Sequence, residues 1–396
     1  MRAGFWTNAR LLTTAVLLVM TAVTASPAQD WIPFQAAERL ARAAEWEAVY
    51  PPAGAGSLFD VTERYRDVAR SMISQGGQPA FAGELLTAFL SSPPAAFAAV
   101  PFSRLSWQSG TLAWRLTLAI PVVLSLLLVG ASATNLQSRA RWSWICLAAA
   151  PVLCYAVYIG QPSSLLFVVA AMSMLPATLG RDMAGGVALG LGVIFKATPI
   201  LVIAGLWMCG RRRLAAIAAA TAAIACVATL PFVGNGWAGF FATVKRLATV
   251  GISDWNNASF DAALLRLTAG TTSLFTEPGT LVIVMSWLLR LVVAGLAVRA
   301  VIDGGRAPAR RAAAVWIGWL AATPVLWLHY LVALVPLAGA APARRVDPGA
   351  LLVAATGIVL AGRIAGVAPV LCGMAACGVW LASAAWLLSN RCWNTE

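Results

Sequence analysis

Asp30 lies where an apolar chain has to leave a membrane. It is one of the first polar residues after the hydrophobic run from 11 to 25, which places its carboxylate at the boundary between lipid and water. A base that acts on a lipid-borne substrate would need that position. A loop leaving a membrane also begins with polar residues for purely structural reasons, so both interpretations of Asp30 stay open.

Lys196 interrupts a long apolar stretch and is followed closely by Pro199. An ionisable group at membrane depth costs roughly several kcal/mol unless it is paired or hydrated, which makes it a candidate for function. A cation at a helix break can hold a phosphate group, helped by the amide dipoles of a neighbouring helix start. The structural alternative is a lysine that extends to the membrane interface.

His329 is the only histidine and follows Trp327 shortly after the Thr323-Pro324 break. An imidazole beside an aromatic ring suits a sugar, because the ring face stacks on the sugar while a ring nitrogen bonds to a hydroxyl or phosphate oxygen. A lone histidine on an apolar helix is also compatible with a packed structural role.

Four further candidates are weaker, namely three residues with side-chain amides and one arginine. Gln161 follows Gly160 at the start of an apolar segment, where it reaches a ligand or caps the turn. Asn256 and Asn257 lie in a late polar loop. Arg290 lies near the middle of an apolar segment, where it pairs with a carboxylate, contacts lipid phosphate or extends to the interface.

The composition defines the class of protein that must position these residues. Of 396 residues, 60% are hydrophobic and 11% are charged, and the mean hydropathy is +0.79. These values exclude a soluble globule and indicate a multi-pass, all-α membrane protein. The net charge of +13 comes from arginines in short clusters between apolar runs, which are orientation signals rather than a nucleic-acid surface. The cysteines form neither a disulfide framework nor a metal site.

The first membrane helix is predicted at 11–26, as an uncleaved anchor in preference to a cleaved signal peptide. Residues 27–84 carry eight carboxylates and five arginines, so they form a first external loop by the positive-inside rule. Helices are expected there at 34–47, lying on the membrane surface, and at 61–74. Residues 85–102 are divided by two prolines and are predicted to be re-entrant or interfacial.

Two apolar stretches, 182–210 and 312–343, have basic residues at both ends. One helix cannot begin and end on the same side, so each stretch is predicted to be a pair of short helices meeting at an outer apex. The remaining crossings are predicted at 114–129, 142–159, 165–179, 213–230, 281–300, 351–362 and 370–388. The total is about twelve in one domain over 1–396, with membrane bundles at 85–232 and 280–390 and a second external loop at 233–279.

Five segments in one order resemble a known family. They are "PFQAAERL" after Asp30, "GQPSSLL" from 160, "GVALGLGVIFKATPILVIAGLWMCGRRRLAA" from 186, "NNAS" from 256 and "TPVLWLHYLVALVPL" from 323. Together they are similar to the polyprenol-phosphate-mannose-dependent mannosyltransferases of glycosyltransferase family 87, the DUF2029 group of the GT-C superfamily. Ser163, Ala258 and Thr323 depart from the family pattern.

The resemblance implies a GT-C-type bundle and an inverting hexosyltransferase. Its donor would be a polyprenyl-phosphate-linked sugar, mannose in first place, and its acceptor a hydroxyl of a glycolipid or cell-envelope glycan. Asp30 would be the base, and Lys196 and His329, with Arg290, would stabilise the leaving phosphate. Gln161, Asn256, Asn257 and Trp327 would bind substrate. No cofactor, metal or nucleic acid is implied, and the site would face the exterior of the inner (plasma) membrane.

Two alternatives stay open. A transporter or flippase for a lipid-linked or amphiphilic solute would also have broken helices with polar apices. An inactive relative acting in an envelope-assembly complex would keep the same motifs.

Overall fold

The computed structural model describes residues 2–24, 29–52, 60–75, 86–133, 135–247, 250–270, 277–303, 308–340 and 348–389. In these ranges the chain is helical and contains no β-strand, and an isolated antiparallel bridge pairs Asn257 with Trp327. The predicted all-α class is therefore confirmed.

Nineteen α-helices are described, with short 3-10 turns at Gln29–Trp31, Phe97–Ala99 and Leu328–Ala333. In chain order they are α1 (Arg2–Thr24), α2 (Ile32–Arg42), α3 (Trp46–Val49), α4 (Glu63–Gln75), α5 (Pro93–Ala96), α6 (Val100–Ser103), α7 (Trp107–Ser132), α8 (Leu136–Ile159), α9 (Ser164–Met174), α10 (Leu179–Phe195), α11 (Ile200–Met208), α12 (Arg212–Val233), α13 (Gly236–Leu247), α14 (Phe260–Ala269), α15 (Thr280–Asp303), α16 (Pro308–Ala322), α17 (Leu334–Ala340), α18 (Pro348–Ile364) and α19 (Pro369–Leu388).

Six of the described helices, α1, α7, α8, α12, α15 and α19, are long and apolar enough to cross a membrane. The crossings predicted at 114–129, 142–159, 213–230, 281–300 and 370–388 each lie inside one of them. The chain is thus a multi-pass membrane protein, as predicted, although the count of about twelve crossings is not confirmed. Helix α1 packs through Leu11, Leu18 and Ala22 into the main hydrophobic core.

Both apolar stretches with two basic ends are broken helix pairs, as predicted. Helix α10 ends at Phe195 and α11 begins at Ile200, with Lys196 in an extended conformation between them. Helix α16 ends at Ala322, and the chain resumes in the 3-10 turn that leads into α17. Arg344 and Arg345, the basic end of the second stretch, lie outside the described residues.

Arginines close one end of the bundle, which we call the arginine end. Arg211 donates to the carbonyl oxygens of Ser173 and Leu175 at 2.9 and 2.7 Å, at the end of α9. Arg311 donates to the carbonyl of Met208 at the end of α11, and Arg141 donates to carbonyls at the end of α17. The two helix breaks lie at the opposite end, which we call the cavity end.

The first loop forms a second hydrophobic core at the cavity end. The helix predicted at 34–47 is interrupted after Arg42, where Ala44 has a positive φ of 59°, and α3 follows. The position of this helix on the membrane surface stays a prediction, but its apolar face is buried against α4 and α5. Its hydrophobic periodicity reflects protein packing.

In the described part of 85–102 no single helix is long enough to cross a membrane. Residues 93–103 fold into two α-helical turns and one 3-10 turn, each far shorter than the ~20 residues a membrane helix needs. Ser92 anchors them to the end of α10, because its hydroxyl donates to the Ile194 carbonyl at 2.6 Å. The segment therefore packs beside the helix break that carries Lys196.

Candidate active site

A cavity of about 460 Å³ opens at the cavity end between the first loop and the bundle. Three of its lining residues are Asp30, Lys196 and His329, so stretches far apart in the sequence meet at one place. The complete lining consists of Asp30, Pro33, Phe34, residues 87–91, Tyr155, Ile159, Gln161, Lys196, residues 254–256, Trp327, His329 and Arg363.

The Asp30 carboxylate is held by an amide from another part of the chain. Gln161 Nε2 donates to Asp30 Oδ2 at 2.6 Å. Burial raises the pKa of Asp30 above its ordinary value, while the Gln161 hydrogen bond and the charge of Lys196 both lower it. Asp30 is therefore a carboxylate with increased basicity whose orientation is fixed by Gln161.

One indole supports both partners of this hydrogen bond. Trp114 stacks on Trp31 with ring centroids 4.2 Å apart and an interplanar angle of 13°. Its Nε1 donates to the carbonyl of Gly160 at 2.8 Å. Gly160 ends α8 in the left-handed conformation, with φ of 78°, which glycine adopts without steric cost. Trp114 thus positions the residues adjacent to Asp30 and to Gln161.

Lys196 projects from the break between α10 and α11. It has φ −146° and ψ 116°, and its backbone N–H donates to Gly192. The Lys196 Nζ atom lies 5.9 Å from the centroid of the Tyr330 ring. The Lys196 side chain is half-buried and lines the cavity.

His329 is buried in the 3-10 turn after the second helix break, with 3% of its surface exposed. Its ring is stacked near Trp327 at 6.5 Å and 19°. Among the described residues, neither Nδ1 nor Nε2 has a hydrogen-bond partner. Buried polar atoms are normally satisfied, so an imidazole lining a cavity with both nitrogens open fits a ligand-binding role.

The two asparagines of the late loop have different positions. Asn256 lines the cavity, and its Oδ1 is buried without a partner in the described part of the chain. Asn257 is fully buried away from the cavity. Its Nδ2 donates to the Ile252 carbonyl at 2.7 Å, and its Oδ1 accepts from Leu326 N at 2.9 Å. Its contacts join the loop to the second helix break, so they are structural.

Arg290 does not line the cavity. Its guanidinium pairs with Asp261 at the start of α14, and the Ser286 hydroxyl donates to the same carboxylate. Of the three options open from the sequence, the carboxylate partner is the one present. Charge neutralisation inside the bundle explains why an arginine is tolerated in the middle of α15.

Sequence reasoning missed Tyr155, Asp254, Trp255 and Arg363, which also line the cavity. Asp254 and Trp255 immediately precede Asn256, so a charged and an aromatic residue beside a candidate amide were a usable signal. Arg363 lies at the end of an apolar helix, where a basic residue resembles an ordinary signal for orientation in the membrane. Among the described residues, no group of three or more His, Cys, Asp and Glu side chains is arranged to hold a metal ion.

These features define a class: a multi-pass helical membrane protein with a charged cavity at one end of its bundle. The model of glycosyltransferase family 87 matches residues 89–324, more than half of the chain. The chain belongs to glycosyltransferase family 87 and is a membrane glycosyltransferase, as the resemblance predicted.

A weaker likeness comes from a solved structure. The crystal structure of ArnT from Cupriavidus metallidurans in the apo state aligns with 98% of this chain and 77% of its own, at 14% identity and a TM-score of 0.44. That similarity is too low to transfer a site or a substrate. No curated protein matches the chain in sequence.

Proposed function

We propose that this glycosyltransferase moves a single sugar from a polyprenyl-phosphate donor to a hydroxyl of a glycolipid or cell-envelope glycan. Mannose is the first candidate for that sugar. The observation that carries the proposal is the cavity itself, where a carboxylate fixed by Gln161 shares one space with the ammonium of Lys196 and the open imidazole of His329. These are the groups that an inverting transfer from a lipid phosphate requires.

The transfer step needs one base and one anion-stabilising group. The acceptor hydroxyl oxygen attacks the anomeric carbon, its proton passes to the Asp30 carboxylate, and the bond from that carbon to the phosphate oxygen breaks with its electron pair leaving on the phosphate. Lys196 stabilises the negative charge on the leaving group in a site of low dielectric. No cofactor or metal has a part in this step.

The aromatic and amide groups have binding roles in this proposal. The Trp327 ring, near His329, offers a stacking face for a sugar, and an imidazole nitrogen of His329 bonds to a hydroxyl or phosphate oxygen. The Asn256 Oδ1 atom, which has no partner among the described residues, accepts a hydrogen bond from a substrate hydroxyl. Arg290 has no part, because Asp261 already neutralises it.

The orientation follows from the distribution of charge. Arg141, Arg211 and Arg311 lie at the arginine end, and arginines are concentrated on the cytoplasmic side of membrane proteins. The cavity end then faces the exterior of the inner (plasma) membrane, or the periplasm of a bacterium. Donor and acceptor lipids would meet there.

The test is transfer by membranes that contain the full chain, with radiolabelled polyprenyl-phosphate mannose as donor. Labelled sugar should appear in a lipid or glycan product, and Asp30→Asn should lower the rate by about 10²–10⁴-fold, the usual contribution of a general base. Glu63→Gln is the control, because Glu63 is on the first loop with 79% of its side chain exposed.

Two outcomes would reject the proposal. Unchanged transfer in Asp30→Asn would remove Asp30 as the base. Movement of intact labelled donor across the bilayer, with no sugar transferred, would identify a transporter instead.

A further inference from the structure

Three residues of the cavity, Asp254, Trp255 and Arg363, have no part in the transfer step described above. Asp254 and Trp255 come from the loop before α14, and Arg363 comes from the end of α18. They lie close together, since Arg363 Cζ is 6.0 Å from the centroid of the Trp255 ring and its charge interacts with Asp254. We call this group the 254/363 cluster.

The loop that carries Asp254 and Trp255 is held in place from behind. Arg266 is buried with 1% of its surface exposed. Its guanidinium donates to the Ser253 carbonyl at 3.1 Å and to the Asp254 carbonyl at 2.7 Å, and it also bonds to the Asn257 carbonyl. Backbone fixed in this way presents two side chains in one orientation, which a binding wall requires.

The side chains of the cluster have capacity for a ligand. The Asp254 Oδ1 atom accepts from Trp255 N at 2.8 Å, which orients the carboxylate. The structure gives the Arg363 guanidinium no hydrogen bond and no ion pair with any residue it describes. A carboxylate accepts from one hydroxyl, a guanidinium donates to the next, and an indole packs on the apolar face of a pyranose. This set of groups suits a sugar ring.

A phosphate suits the cluster less well. Asp254 would face the anion beside Arg363, and like charges repel in a partly desolvated site. Lys196 has no ion pair among the described residues, and its charge acts on Asp30, whereas the charges that act on Asp254 are those of Arg266 and Arg363. The phosphate is therefore assigned to Lys196, as in the proposed function. The cluster is close to neutral, so a neutral carbohydrate is its preferred ligand.

We propose that Asp254, Trp255 and Arg363 bind a sugar ring of the acceptor, so that the acceptor is a glycan or glycolipid rather than a simple lipid alcohol. The assignment to the acceptor rests on the proposed function, in which Lys196 holds the donor phosphate. In an inverting displacement the attacking hydroxyl approaches the anomeric carbon opposite the leaving phosphate. The acceptor is therefore bound on the side of the base, and Tyr155, which interacts electrostatically with both Asp30 and Asp254, links the cluster to that side of the cavity.

The experiment compares two acceptors that share an octyl chain and differ in whether that chain carries a sugar. The full chain in nanodiscs receives saturating donor and either an octyl pyranoside or octanol, and Asp254→Asn, Trp255→Leu and Arg363→Gln are measured beside the wild type. Octyl pyranoside should be the better acceptor. Each variant should raise the KM for octyl pyranoside about tenfold, as expected for the loss of one hydrogen bond or stacking contact. The KM for the donor and the melting temperature should stay unchanged.

Arg104→Gln is the matched control, since Arg104 is exposed, precedes α7 at the same end of the bundle and does not line the cavity. Its KM values should equal those of the wild type. Arg363→Lys keeps the charge and loses the planar fork, so it should give an intermediate acceptor KM. A rise of the donor KM in the cluster variants, or equal use of octanol and octyl pyranoside, would overturn the proposal.

A binding measurement separates this proposal from the transfer reaction. Tryptophan fluorescence of the wild type with octyl pyranoside, and no donor present, should show binding that weakens about tenfold in Asp254→Asn. That result together with no detectable transfer would reject the transferase function and keep a sugar site at the cluster. Unchanged binding in all three variants would reject the sugar site, whatever the transfer rate.

Discussion

The two ends of the bundle differ in how many hydrogen bonds a buried nitrogen-bearing side chain makes. At the arginine end, Arg211 reaches the carbonyl oxygens of Met172, Ser173 and Leu175 as well as the Asp182 carboxylate. At the cavity end, both ring nitrogens of His329 have no partner among the described residues. Leaving a buried polar atom unpaired is unfavourable by about 1–3 kcal/mol. Arg211 makes four hydrogen bonds and leaves only its Nε without a partner among the described residues, which fits a structural role, whereas an imidazole with neither nitrogen paired fits a binding role.

This contrast separates two kinds of cation that look alike in the sequence. Lys196 interrupts the apolar stretch 182–210, and Arg211 directly follows it. Both terminal nitrogens of Arg211 donate to helix-end carbonyls or to Asp182, whereas Lys196 has an aromatic ring on one side and the cavity on the other. The environment of each side chain, rather than its charge, therefore decides whether it serves folding or chemistry.

Among the variants that compare the two ends of the bundle, the largest effect on activity is expected for Lys196→Met, which removes the charge and keeps a flexible apolar chain. If Lys196 stabilises the leaving phosphate, kcat/KM should fall by about 10²–10³-fold, the range seen when one stabilising group is lost. The melting temperature in detergent should stay near that of the wild type, because Lys196 has no ion pair among the described residues. Donor-saturated initial rates and a thermal unfolding curve measure both quantities.

Arg211→Met is the matched control at the opposite end. It leaves Asp182 unpaired with only 5% of its side chain exposed, and breaking such a pair costs about 3–5 kcal/mol. The melting temperature should therefore drop sharply, while the rate per folded molecule stays unchanged. If the two variants exchanged these effects, the distinction between the ends of the bundle would be wrong.

An intermediate effect is expected for Gly373→Ala in α19. A Cβ at Gly373 would lie 2.4 Å from Arg266 Cζ, so the guanidinium that holds the 253–257 backbone would have to move. Such overpacking typically costs about 1–3 kcal/mol. The displaced loop should also raise the acceptor KM, which a titration of acceptor at saturating donor would detect.

Gly378→Ala tests whether this effect is specific. Gly378 belongs to the same helix, and a Cβ there meets no described atom within 4 Å. Alanine is the better helix former by about 1 kcal/mol, so this variant should be as stable as the wild type or slightly more so. Equal losses in both variants would mean that α19 tolerates no side chain at either position and that Arg266 is not the reason.

Periodicity and charge in the sequence were sufficient to predict most of the bundle. Apolar runs predicted the long helices, and basic residues at both ends of one run predicted the helix break at Lys196. They could not reveal what covers an apolar face: the pattern of α2 is the same whether lipid or α4 lies against it. Packing partners depend on long-range contacts, which local spacing does not contain.

The site was predictable where a polar residue had no local reason for its position. Asp30, Lys196 and His329 each interrupt an apolar context, and all three line the cavity. Arg290 met the same criterion but pairs with Asp261, a residue 29 positions earlier. Arg363 was missed for the opposite reason, since an arginine that ends an apolar helix resembles an ordinary orientation signal.

The smallest effect is expected for Gln161→Leu, and it lies in the pH profile of transfer. Asp30 must be ionised to accept a proton, so the rate should fall as the pH drops through the pKa of Asp30, which burial raises above 3.8. The Gln161 hydrogen bond lowers that pKa; without it the pKa rises, and the acid limb moves to higher pH. The base is ionised in both proteins at higher pH, so any fall of the plateau there measures only the loss of the orientation that Gln161 gives Asp30. Ser91→Ala, which also alters the cavity lining, should leave the acid limb in place. An acid limb that does not move in Gln161→Leu would mean that a group other than Asp30 controls the rate at low pH.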